Sequence, residues 1–126
     1  MHQNVENITW VFIMHEMSLC ESVLQIIEQQ AQAQQFHKVK TVWLEIGALS
    51  GVEPDAMRFS FEVVTNGSVA DQAKLEIIHI PGQAWCMPCA REVFVEQLYD
   101  ECPHCGSHQL QIVGGDQMRI KELEVE

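Results

Sequence analysis

Cys86-x-x-Cys89 and Cys102-x-x-Cys105 stand twelve residues apart, and they hold four of the chain's five cysteines. No other feature restricts the fold as much. Two short turns, each presenting two sulfurs, can close a tetrahedron around one metal ion. Gly106 follows the second pair and permits the tight turn such a site needs. Zinc and a rubredoxin-type iron both suit four thiolates, and Cys102-Pro103-His104-Cys105-Gly106 is compatible with either. Two disulfides are the competing arrangement, and they fit poorly with a chain that has no export signal. Four protein ligands leave no open position for water, so the expected role is structural. The surrounding stretch has too few apolar residues to fold alone. Metal binding worth on the order of 10 kcal/mol would supply its fold.

Charge narrows the partners. The 126 residues carry a formal net charge of −11. From Ala84 to Val113 the only cation is Arg91, against Glu92, Glu96, Asp100 and Glu101. A cysteine ribbon that grips phosphates needs Lys and Arg, so nucleic acid and anionic lipid are not expected partners. Ile8–Ile13 is too short to span a bilayer and lacks the flanks of a signal peptide. A cytoplasmic location is expected, with reduced cysteines.

Outside the cysteine module the periodicities alternate between helix and strand. Ser18 and Glu21 have the spacing of a capping box, and Leu19, Val23, Ile26/Ile27 and Ala31 follow at helical intervals. This predicts a helix over 18–35, with His15 and Glu16 just before its N-terminus, on the surface. Val42, Leu44 and Ile46 predict a strand ending at Gly47. Glu53-Pro54-Asp55 opens a second helix and Asn66-Gly67 stops it. Leu75–Ile80 and Met118–Val125 alternate as strands, the last shifting phase near Lys121-Glu122 as a bulge would make it. Pro81-Gly82 and Gly114-Gly115 frame the cysteine module, so strands before and after it can share one sheet. The expected architecture is α+β: residues 14–82 and 114–126 as one domain, 83–113 as an inserted ribbon, and 1–13 as an N-terminal extension.

Three further residues read as ordinary structure. Cys20 is expected as a small buried hydrophobe. His104 and His108, flanking the last cysteine, are expected as exposed loop residues, the sharper reading being that one approaches the metal when a thiolate is protonated. No nucleophile–base pair, phosphate loop or H-E-x-x-H is present, so no enzyme is expected. Taken as bare residues, His15-Glu16 is a helix lead-in.

The combination M-H-E-M-S-L-C-E-S-V, V-W-L-E-I-G-A-L-S-G-V-E, F-S-F-E-V-V and W-C-x-x-C…C-P-x-C resembles the HypA/HybF family over Met14 to Glu126. The resemblance implies two helices on a three-stranded sheet, forming a small α/β nickel domain, with a four-cysteine zinc ribbon inserted. It implies a nickel metallochaperone that helps insert Ni(II) into the large subunit of [NiFe] hydrogenase, working with a GTPase of the same pathway. It assigns Ni(II), as cargo, to His15 and Glu16, with nearby backbone nitrogens and the α-amine. It assigns structural Zn(II) to Cys86, Cys89, Cys102 and Cys105. A docking scaffold without cargo metal and an iron electron-transfer protein remain the alternatives. Residues 1–13 depart from the pattern, because they turn the amine of Met14 into an amide. Either the start is assigned one Met too early, or Ile8–Ile13 packs as an extra strand. The first is preferred, because nothing else in that stretch looks functional.

Overall fold

In a computed structural model the backbone is described over residues 5–126 and the side chains from His15 onward. Two helices and six strands follow in the order α1 (Val5–Gln34), β1 (Val39–Gly47), α2 (Pro54–Thr65), β2 (Lys74–Ile80), β3 (Gly82–Cys86), β4 (Arg91–Val95), β5 (Leu110–Gly114) and β6 (Met118–Val125). They form two three-stranded sheets, ordered β2-β1-β6 and β4-β3-β5. The strand after the cysteine module thus lies beside β1, as expected for an inserted ribbon.

The first helix departs from expectation. It does not start at Ser18 but runs continuously from Val5. The sequence holds no Gly or Pro before Gly47, so nothing breaks the helix where the cap was predicted. Ser18 is an interior residue whose carbonyl accepts from the Ser22 hydroxyl at 3.2 Å, and the Ser18–Glu21 capping box is not formed. Val5–Ile13 is helical rather than an extra strand. Met1 and His2 lie outside the described residues. At its other end α1 stops one residue short of the prediction, with Gln35 left-handed at φ 58°.

The second helix forms as its sequence dictates. Glu53 caps it by accepting the Ala56 N–H at 2.7 Å, Pro54 occupies the first turn, and Gly67 follows at φ 79°. Val42, Leu44 and Ile46 of β1 are buried. In β6 both Lys121 and Glu122 are exposed, which is the phase shift read from the sequence. The C-terminal strand is pinned near the start of β1. His37 donates to the Glu126 carbonyl at 2.9 Å, Glu126 donates to the Lys38 carbonyl at 2.8 Å, and the Thr41 hydroxyl donates to Glu124 at 2.7 Å.

Contacts divide the chain into two units, one of Met1–Trp43, Glu53–Glu76 and Ile120–Glu126, the other of Leu44–Val52 and Ile77–Arg119. The first holds both helices. The second holds the four ribbon cysteines, and its core is Leu49, Ala84, Cys86, Val93, Val95 and Cys102. Leu49 comes from the turn after β1. Its N–H donates to the Gly115 carbonyl at 2.8 Å while Ala48 donates to Ile80 at 2.8 Å. The glycines there are demanded by close approach. A Cβ on Gly82 would lie 2.5 Å from the Val95 oxygen, and one on Gly115 would lie 2.3 Å from the Pro81 oxygen. Gly115 also has φ +76°. Gly115→Ala is therefore expected to cost about 2 kcal/mol or more, from left-handed strain together with overlap. A urea unfolding curve with an unchanged midpoint would contradict this.

Candidate metal centre

The ribbon places its cysteines by two similar turns. Cys86 ends β3 and Cys89 lies in the turn to β4, while Cys102 and Cys105 lie in the turn that precedes β5. In each turn the residue after the second cysteine is left-handed: Ala90 at φ 52° and Gly106 at φ 75°. Each of these donates its N–H back to the carbonyl of the turn's first cysteine, at 2.8 Å in both cases. Pairing of Ala84 with Val93 and Ile112 sets β3 between β4 and β5. That register brings the two turns to one end of the small sheet.

The four sulfurs all lie within 4.8 Å of one another. Cys86 and Cys105 approach to 3.6 Å, and Cys89 and Cys102 to 3.9 Å. A zinc ion with Zn–S bonds of about 2.3 Å has tetrahedral S···S edges of about 3.8 Å. The geometry therefore fits a four-thiolate zinc site. Zinc, when bound, supplies a cross-link that the small ribbon core does not provide. None of the five cysteines is in a disulfide. His104 and His108 are exposed and stand outside the four-sulfur cluster.

Crowding spreads the thiol acidities apart. Cys89 is pushed up to about 12, chiefly by hydrogen bonds with Cys105 and Cys86 and then by burial. Cys86 is raised, first by burial. For Cys102, burial opposes ionisation. The N–H groups of Cys105 and His104 and the neighbouring thiols outweigh it and bring the group down to about 6. The His104 N–H lies 3.4 Å from the Cys102 sulfur. In the metal-free cluster Cys86 and Cys89 thus hold their protons more tightly than Cys102 does.

The expected nickel residues lie elsewhere, in α1. His15 is exposed. Glu16 corrects the expectation of a surface pair: it is 0% exposed, and neither carboxylate oxygen has a hydrogen-bond partner. Because α1 starts before these residues, they are interior to the helix, and neighbouring side chains diverge by about 100°. Glu16 lies one turn before Cys20 on the same face. Cys20, buried as expected, directs its thiol at the Met57 carbonyl (3.6 Å) and sulfur (3.9 Å) of α2. Burial, and then the charge of Glu16, push the Cys20 thiol up to about 12. Ser60, three residues after Met57, is also buried with an unpartnered hydroxyl. Sequence reasoning missed Glu16 as a buried acid because it placed the helix start after it. Its spacing of four from Cys20 was the available signal. Leu49 was missed as ribbon core because it lies in a turn remote from the cysteines in sequence.

Comparison with known proteins agrees with this geometry. The family model described as "Hydrogenase/urease nickel incorporation, metallochaperone, hypA" matches residues 14–125. The hydrogenase maturation factor HypA of Rhodopseudomonas palustris (strain BisA53) is 60% identical over 113 residues, which are 90% of this chain and 100% of that protein. The solution structure of the Ni metallochaperone HypA from Helicobacter pylori is similar with a TM-score of 0.63 and 28% identity, covering 87% of this chain and 96% of that one. A second solution structure of a HypA protein is similar with a TM-score of 0.66 and 30% identity, covering 90% and 97%.

Two outcomes are expected of the ribbon. Zinc binding near pH 7 must displace the protons of Cys86 and Cys89, so affinity falls as pH falls. Calorimetry in buffers of different ionisation enthalpy should read about two or more protons released per zinc. Zero release would refute the assigned acidities. Cys102→Ala should abolish the dispersed amide resonances of 82–114 while those of the two helices persist. Well-dispersed ribbon resonances in that variant without metal would show that the core holds by itself.

Proposed function

The chain belongs to the HypA family of hydrogenase nickel-incorporation proteins, and from that premise we propose how it carries its metal. It is a nickel metallochaperone of hydrogenase maturation. The observation that carries the finer reading is the match across residues 14–125, which includes Met14-His15-Glu16. We assign Ni(II), as cargo, to His15 and Glu16, and structural Zn(II) to Cys86, Cys89, Cys102 and Cys105. The exposure of His15 supports the assignment, because a carrier must pass its metal on. Imidazole and backbone nitrogens suit Ni(II). A closed cage of four thiolates suits a metal that stays.

The remaining parts of the reading are finer than the family itself. The receiver is the large subunit of a [NiFe] hydrogenase, and a GTPase of the same pathway assists the transfer. The chain acts in the cytoplasm and performs no catalytic step of its own. Among the described residues no helix is long and apolar enough to cross a membrane. We read residues 14–82 with 114–126 as the nickel domain and 83–113 as the ribbon, with 44–52, 77–82 and 114–119 packing in the ribbon's unit, while 1–13 lie ahead of the family match.

His15→Ala is expected to weaken nickel binding by at least about tenfold, or 1.4 kcal/mol. Zinc content should stay at one per chain. Calorimetric titration with metal analysis checks both, and wild-type nickel affinity in the variant would refute the assignment. A chain that starts at Met14 should bind nickel about one to two decades more tightly than one that starts at Met1. The reason is that a free amine is a better ligand than an amide nitrogen, which must first lose its proton. Equal affinities would remove the amine from the ligand set.

A further inference from the structure

Between α1 and α2 the first unit buries an acid it does not satisfy. Glu16, Cys20, Val23 and Ile27 are buried on α1, and Met57, Ser60 and Phe61 on α2. Cys20 touches α2 here, at the carbonyl and the sulfur of Met57. Glu16 stands one turn earlier, wholly buried, with both oxygens unpartnered, and the Ser60 hydroxyl is unpartnered as well. Removing a carboxyl group from water without a hydrogen bond in return is among the most costly arrangements a core can hold. Leu or Met at position 16 would fill the same place without that cost. The seam is therefore weakest at the turn that carries His15.

We propose that Glu16, by leaving the helix seam for the metal, makes nickel loading at His15 open the α1–α2 seam at Cys20 and Met57. The proposal rests on the assignment of nickel to His15. While α1 is intact, the amides of His15 and Glu16 are committed along the helix axis and the Glu16 side chain points inward, away from exposed His15. A divalent ion held by His15 offers the carboxylate the cationic partner the seam lacks. Reaching it requires the turn at 15–16 to leave the helix, which also releases backbone nitrogens as ligands. Withdrawal of Glu16 leaves Cys20 at the new end of the packed face. Loading then becomes legible on α2, a helix that contributes no nickel ligand.

Cys20 is the reporter, because its thiol is wholly buried against α2 and an alkylating reagent reaches it only when the seam opens. The experiment alkylates the zinc-loaded full chain with iodoacetamide, with and without one equivalent of Ni(II). Peptide mapping reads Cys20 apart from the ribbon cysteines. Nickel is expected to speed Cys20 modification by about tenfold or more in the wild type. Glu16→Leu removes an assigned nickel ligand, so it is compared with wild type at matched nickel occupancy set by titration; there the acceleration is lost, and the metal-free variant modifies more slowly than wild type. Glu16→Gln serves the same comparison should the Leu variant fail to fold. Nickel that binds through His15 without changing the Cys20 rate overturns the proposal alone. So does protection of Cys20, which would make it a ligand, or acceleration that survives in both Glu16 variants. Failure of nickel to bind at His15 overturns the underlying assignment and this proposal with it.

Discussion

Four sulfurs gathered within 4.8 Å of one another are what the second unit depends on. Its apolar core is six residues, two of them the cysteines themselves. Strand β3 pairs with β4 and β5 over short registers, and sheets of that size gain little from hydrogen bonding alone. The metal cross-link and the core are therefore not separable contributions. Cys86 and Cys102 are buried in that core and also lend their sulfurs to the four-sulfur cluster. Losing the metal would leave crowded thiols in their place, with protons divided unevenly among them.

The same chain is read as handling a second metal in the opposite manner. One site is a closed set of soft ligands drawn from two turns, with nothing left open. The other centres on an exposed histidine of a helix. Ligand softness separates the two ions, since thiolates favour zinc and imidazole with amide nitrogen favours nickel. Exposure separates their fates, because a resident ion needs enclosure and a cargo ion needs a way out. The marked acidity of the ribbon surface fits this division. It has no cationic face for phosphates, and its single Arg91 is outnumbered by neighbouring acids.

Glu16 is where the first unit gives up stability. Cores of small domains rarely keep an unpartnered carboxylate, since a single apolar replacement would remove the penalty. Here the acid stands beside the proposed metal-binding histidine and one turn from the contact between the two helices. On the coupling proposed above, a buried acid without a hydrogen-bond partner at such a place ties metal binding to packing. The helix that runs unbroken through His15 and Glu16 adds to the conflict, because amides engaged in a helix cannot also hold a metal.

Much of this protein was decided by sequence alone. The spacing of Cys86, Cys89, Cys102 and Cys105 carried the ribbon, since two-residue gaps and a following left-handed residue are local rules of chain geometry. The strand periods of β1, β2 and β6 and the Glu53-Pro54 start of α2 were legible for the same reason, as were the stop at Gly67 and the inserted position of the ribbon. The M-H-E motif and its companions carried the family. Tertiary structure decided what depends on neighbours distant in sequence. A capping box at Ser18 is a signal only when the chain arrives unwound, and here it arrives already helical, so the helix start was misplaced. Burial of Glu16 follows from that continuation and from the approach of α2, neither of which periodicity reveals. Leu49 enters the ribbon core because Gly47, Gly82 and Gly115 let backbones pass within side-chain distance of one another. Local rules act along the chain and can be read from it, whereas the environment of a side chain is set by whichever segment folds against it.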